Sequence, residues 1–156
     1  MKEKFKPIQP NKVLVIADDD RIVRLVSEKL LTLAHAHEDS VILGATFSEA
    51  QRIVDTVKRL ADKHGSENVV CLFDQNMDYD APDQSVYGTD ICRELVDIHK
   101  FTGVLAIRSA SDEQAQQYYD AGAVLVVGKN GLWPPARILH ELNERFPKHS
   151  TEGHTA

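Results

Sequence analysis

The chain has 156 residues, with 18 Lys and Arg against 24 Asp and Glu, a formal charge of −6. At 42% hydrophobic and 27% charged residues it has the make-up of one ordinary globular domain, long enough to bury a core without metal or disulfide support. The acidic balance excludes a nucleic-acid binder that works by displacing phosphate counterions, and no run of about 18 apolar residues is available to span a membrane. The start, MKEKFKPIQP, lacks the apolar stretch of a signal peptide. Cys71 and Cys92 both sit in apolar stretches and read as core residues of a reduced, cytoplasmic protein.

Residues 1–11 read as a tail. A first buried strand is expected over Val13 to Ala17. It is followed by a helix whose Ile22, Val26, Leu30 and Leu33 should face the sheet. The second strand is Val41 to Ala45. Ser48 and Gln51 have capping-box spacing for a helix carrying Ile53, Val57, Leu60 and Ala61, and Gly65 should stop it. Val69 to Phe73 is the third strand, and Ile91, Leu95 and Ile98 mark the next helix. Val104 to Ile107 is the fourth strand. The following helix, Asp112 to Ala121, is mostly polar, with a capping box at Ser111 and Gln114 and with Tyr118 and Tyr119 as its only bulk. Gly122 should end it. Ala123 to Val127 is the fifth strand, and Pro134 and Pro135 suit the start of a last helix with Leu139, Leu142 and Phe146 on its inner face. Residues 147–156 read as a second tail, leaving 12–146 as the domain, with no segment left for a DNA-binding module.

Continuously apolar, β-branched runs fit parallel strands covered on both faces. Five of them alternating with amphipathic helices predict an α/β fold, a (βα)5 doubly wound, five-stranded parallel sheet. Ligands of such sheets bind beyond the carboxyl ends of the strands. Asp18, Asp19 and Asp20 follow the first strand, and Asp74, Gln75 and Asn76 the third. Ser109, Ala110 and Ser111 follow the fourth, and Gly128, Lys129 and Asn130 the fifth. The second ends in Thr46-Phe47, with no group of note. With the first strand central, beside the third and fourth, carboxylates, a hydroxyl and an ammonium converge on one rim. Clustered carboxylates need a cation or protons, and all-oxygen ligands suit Mg2+ rather than zinc. A lysine opposite the metal could hold a phosphoryl group, for which a carboxylate is a competent nucleophile.

The segments VLVIADDD, CLFDQNM, GTDICREL, AIRSASDE and DAGAVLVVGK, in this order over residues 12–146, resemble the response-regulator receiver domain of two-component signalling. The resemblance implies a flavodoxin-like, CheY-like fold and a single-domain response regulator, not a conventional enzyme. Asp74 would be the phosphoacceptor, and Asp18 and Asp19 the acidic pair that holds Mg2+ together with Asp74 and the Asn76 carbonyl. Ser109 would be the switch hydroxyl, the Ala110 N–H an added donor and Lys129 the phosphoryl-binding lysine. The triple Asp leaves the acidic pair open to a slip of one residue. Arg24 keeps its usual offset if the pair is Asp18 and Asp19. Implied partners are a histidine kinase or histidine phosphotransfer protein as donor and a downstream protein target, with no nucleic acid and no membrane.

Three departures stand out. Asn130 replaces the proline that usually follows the lysine, so Asn130-Gly131 should turn with a trans bond. Val126 replaces an aromatic switch residue three before the lysine, so hydroxyl-to-aromatic coupling should be weak or absent. DYDAPDQSVY makes a long connection before Gly88, read as a solvated insertion although Asp78, Asp80 and Asp83 lie near the rim. These departures also motivate a second reading, a receiver-like interaction module that acts without phosphorylation. His35 and His37, with Glu38 and Asp39 following, are read as a solvated turn, because no distant partner at metal-binding spacing is visible.

Overall fold

The computed structural model describes residues 12–109, 115–128 and 134–145. The strands are β1 (Val13–Ala17), β2 (Val41–Leu43), β3 (Val69–Asp74), β4 (Asn76–Asp78), β5 (Ser85–Tyr87), β6 (Val104–Ser109) and β7 (Leu125–Gly128). The helices are α1 (Arg21–Ala34), α2 (Phe47–Gln51), α3 (Ile53–His64), α4 (Gly88–Arg93), α5 (Ala115–Asp120) and α6 (Pro135–Arg145). Five strands form one parallel sheet in the order β2-β1-β3-β6-β7. This is the expected doubly wound architecture with one correction. β1 lies between β2 and β3 and does not touch the fourth strand of the sheet, so β3 is the central strand.

Alternation along each strand divides the core between the two faces. Val13, Val15 and Ala17 join Ile53, Val57 and Leu60 of α3, Ile91 and Cys92 of α4, and Tyr118 of α5. Leu14 and Ile16 join Leu30 of α1 with Leu139 and Leu142 of α6 on the other. Both cysteines are buried and free, as expected of core residues.

Two helical faces differ from expectation. In α1 the inward positions are Ser27, Leu30 and Ala34, with Val23 half-buried. Ile22 is 69% exposed, and Leu25, Val26 and Leu33 are also on the outside. The helix has two apolar stripes about one residue apart, and the one with small residues sits against the sheet. Following α4, Glu94–Ile98 winds as a wider π-type turn, which carries Ile98 out of register to 65% exposure while Leu95 stays buried.

The second helical region is split at Arg52, and its cap is Thr46 rather than Ser48. The Thr46 hydroxyl accepts from Glu49 N (3.1 Å), and the Glu49 carboxylate accepts from Gly44 N (2.9 Å) and Ala45 N (3.1 Å). This is a variant of the capping box, two residues upstream of the expected one, in which the glutamate reaches the two amides before the cap residue. Gly65 and Gly122, both at positive φ, end α3 and follow α5 as expected. Pro135 starts α6, where its missing N–H costs no helix bond. Ser111, Gln114, Asn130, Gly131, Trp133 and Phe146 lie outside the described residues. Among the described residues no helix is long and apolar enough to cross a membrane.

Candidate functional site at the carboxyl rim of the sheet

The register brings the strand ends level, pairing Ala17 with Phe73, Asp74 with Arg108 and Ser109 with Gly128. Asp18, directly after β1, is wholly buried, and Asp74, the last residue of β3, is buried beside it. Carboxylate oxygens of Asp18, Asp19 and Asp74 all lie within 4.8 Å of one another. Asp20 is occupied elsewhere. It caps α1, its Oδ1 accepting from Ile22 N (2.8 Å) and Val23 N (3.4 Å). With Asp20 at the cap, the carboxylates that meet Asp74 at the rim are those of Asp18 and Asp19.

Asp18 is held on several sides. Its Oδ1 accepts from Asp20 N (2.9 Å), and Arg24 Nη1 donates to its carbonyl (2.9 Å). Arg108 Nη1 donates to its Oδ2 (3.3 Å) in a buried ion pair, the guanidinium residue being only 7% exposed. Gly44, at φ 109°, packs on the Asp18 backbone so closely that a Cβ there would lie 2.6 Å from the Asp18 carbonyl oxygen. Gly88 does the same for Asp74, where a Cβ would lie 2.8 Å from the carbonyl oxygen.

The ten-residue connection is part of an ordered β-hairpin, and its own residues, 78–87, are exposed or half-buried. β4 and β5 pair antiparallel, Asn76 with Tyr87 and Asp78 with Ser85. Pro82 stands second in a turn closed by Gln84 N donating to Ala81 O (2.9 Å), the position its fixed φ suits. Met77 is fully buried, and Tyr79 donates its hydroxyl to Gly44 O (2.7 Å) while its ring leans on Phe47. Burial, reinforced by the Asp19 carboxylate, pushes the Tyr79 phenol up, so it remains a donor. The hairpin also reaches the rim, where Asp78 N donates to Asp19 Oδ2 (2.9 Å). Gln75 fastens its base, exchanging side-chain bonds with Thr89 N (2.9 Å) and Thr89 Oγ1 (3.1 Å).

Ser109 ends β6 with its Oγ 2.9 Å from the Tyr118 hydroxyl, both groups buried. Ser109 thus has an aromatic hydroxyl partner from α5, separate from position 126 on β7. Tyr119, its neighbour, is exposed.

The donors at this rim are carboxylate oxygens, a set that fits a hard divalent cation such as Mg2+. No family model and no curated protein sequence matches the chain. Solved structures do. The CheX–CheY–BeF3–Mg2+ complex from Borrelia burgdorferi superposes with a TM-score of 0.66 at 18% identity, covering 88% of this chain and 90% of that one. A CheY-like response-regulator receiver domain protein from Methanospirillum hungatei gives 0.62 at 20%, over 91% and 98%. The receiver domain of a sensor histidine kinase from Pseudomonas aeruginosa, with a magnesium ion coordinated in its active-site cleft, gives 0.60 at 14%, over 85% and 97%. The fold is that of the response-regulator receiver domain.

Within this receiver fold, Asp18, Asp19, Asp74 and Ser109 are all at the carboxyl rim, as the sequence implied. Asn76 opens β4, its N–H 3.4 Å from Asp74 Oδ1. Ala110 and Lys129 lie outside the described residues. Sequence reasoning missed Arg108 and the Tyr118 contact. Arg108 was visible as a lone charge at the end of an apolar strand, AIRS, whereas nothing in the sequence links Tyr118 to Ser109.

Proposed function

We propose that the chain is a phosphorelay response regulator that accepts a phosphoryl group on Asp74 from phosphohistidine and signals by binding another protein. The observation that carries this reading is the meeting of three carboxylates at the carboxyl rim of a receiver fold. An Asp74 oxygen attacks phosphorus in line, a P–O bond forms, and the P–N bond breaks with its electron pair going to the imidazole. Mg2+ held by Asp18, Asp19, Asp74 and the Asn76 carbonyl would neutralise charge on the phosphoryl oxygens. Arg108 pairs with the Asp18 carboxylate in the metal-free chain, and the hairpin amide of Asp78 donates to that of Asp19. Lys129 and the Ala110 N–H are assigned to the phosphoryl oxygens by resemblance. The added charge, roughly two negative units at one point, draws the Ser109 hydroxyl from Tyr118 toward Asp74 and shifts the α5 face.

Incubation with Mg2+ and a small phosphodonor tests this by intact mass. One added phosphoryl group is expected, absent from Asp74→Asn and absent without Mg2+. No adduct where a known receiver labels would contradict the reading and favour an interaction module that works without phosphate.

A donor protein has a suitable landing surface. The outer stripe of α1 exposes Ile22, Leu25 and Val26 directly after the Asp18–Asp20 turn. Ile22→Asp should slow labelling by a phosphohistidine protein roughly tenfold, by analogy with apolar interface anchors, and leave labelling by the small donor unchanged. Equal slowing with both donors would contradict a docking role.

A further inference from the structure

The histidine-rich turn acquires a distant partner in the fold. His37 and Asp39 lie between α1 and β2, and His64 closes α3, which returns to the amino-terminal ends of the strands. One ligand atom from each of these three residues lies within 4.8 Å of the others. His64 Nε2 is 2.7 Å from Asp39 Oδ2, His37 Nδ1 is 4.0 Å from the same oxygen, and the two imidazoles meet edge to face with centroids 4.6 Å apart. His35 is not part of the group; it is the left-handed residue that ends α1. From this geometry we infer a second divalent-cation site, of the zinc class, at the end of the sheet opposite Asp74.

The donor set is two imidazole nitrogens and one carboxylate oxygen, which suits a borderline-soft ion such as Zn2+ and not Mg2+. Neighbouring ligands of a tetrahedral zinc stand about 3.3 Å apart, and the observed 2.7 and 4.0 Å bracket that spacing. The backbone of the site is already held. His37 N donates to Lys12 O (3.1 Å), Ser40 N donates to His37 O (2.9 Å), and Asn68 Nδ2 donates to His64 O (2.7 Å). Small side-chain movements therefore suffice to close the ligands on an ion.

A cation is at the site in its resting form. Lys63 Nζ lies 2.8 Å from the same Asp39 oxygen, and its side chain is 61% exposed, free to swing into water. The Asp39 carboxyl is held down at about 2, first by hydrogen bonds from Lys63 and His64, so it is ionised at neutral pH. The Asp39 N–H donates to His37 Nδ1 (2.9 Å), so that nitrogen acts as an acceptor in this arrangement. Zinc would replace Lys63 at Asp39, the amide hydrogen at His37 and the proton that His64 Nε2 donates to Asp39, which passes to water as the ring takes its Nδ1–H tautomer. The remaining coordination position goes to water. The ion would tie the turn before β2 to the end of α3.

The test is calorimetric titration of the full chain with Zn2+ in excess Mg2+, which keeps the carboxylate rim from scoring as the second site. Uptake of a single Zn2+ is expected, weakened about tenfold or more in His64→Gln and tightened in Lys63→Ala, which removes the competing ammonium. No uptake, or uptake equal in wild type and His64→Gln, would overturn the site and leave an ion-pair cluster holding α3 to the turn. Should His64→Gln fail to fold, the exposed Lys63→Ala decides: unchanged or weaker zinc binding in it overturns the proposal. None of these outcomes bears on phosphorylation of Asp74.

Discussion

Arg108→Leu is expected to tighten Mg2+ binding by about tenfold or more. The guanidinium is buried, 3.3 Å from Asp18 Oδ2, and stands in the strand register beside Asp74. Unit charges about 4 Å apart interact by roughly 4 kcal/mol at an effective dielectric constant of 20. Tenfold in affinity is only about 1.4 kcal/mol, so partial relief of that competition is enough. The same substitution should cost stability in metal-free buffer, about 3 kcal/mol, because it leaves a buried carboxylate without its guanidinium. Added Mg2+ should return much of that loss, since an ion bound to the folded chain stabilises it by mass action. Magnesium titration and denaturant unfolding with and without Mg2+ check both halves. Unchanged or weaker Mg2+ affinity would mean that Arg108 positions Asp18 for the ion rather than competing with it.

Tyr118→Phe should separate phosphorylation from its consequence. In the resting chain the Tyr118 hydroxyl, with the residue only 3% exposed, has Ser109 Oγ as partner at 2.9 Å. When Ser109 turns to a phosphoryl group on Asp74, a buried phenol is left to find another partner. An unsatisfied buried hydroxyl costs about 1–3 kcal/mol, enough to move the short helix α5, whose last turn carries exposed Tyr119. A phenyl ring stays buried whether or not Ser109 is near, so the variant should accept the phosphoryl group at a similar rate yet lose the response of α5. Hydrogen exchange across residues 115–124, with and without phosphodonor, measures this. A several-fold change in wild type and little change in Tyr118→Phe is expected. An identical response in both would place the transmission elsewhere.

How much of this was legible in the sequence follows the range of the forces involved. Val13–Ala17 was read to the residue, because a fully buried parallel strand needs a continuous apolar run, and here that run is closed by Lys12 on one side and Asp18 on the other. α1 was placed correctly but turned about one residue, since Ile22, Leu25, Val26 and Leu33 out-weigh the small residues that pack on the sheet, and apolarity alone does not say which of two stripes the sheet covers. The hairpin was hidden because Met77 is its only fully buried apolar side chain, and its turn, Ala81-Pro82-Asp83-Gln84, sits in a polar run. Asp18, Asp19 and Asp74 were legible because strand ends in a doubly wound sheet share one rim. Pairings between residues far apart in the chain, such as Arg108 with Asp18 and His64 with Asp39, exist only through the packing that brings them together.

The central claim is that Asp74 carries the phosphoryl group, and borohydride trapping tests it without any substitution. Hydride reduces an acyl phosphate to an alcohol and releases phosphate, so peptide mass spectrometry after treatment with Mg2+ and phosphodonor reads the site directly. Homoserine at position 74, dependent on Mg2+, is the predicted result. Trapping at another carboxylate, or none at all while a known receiver is trapped in parallel, would contradict the account.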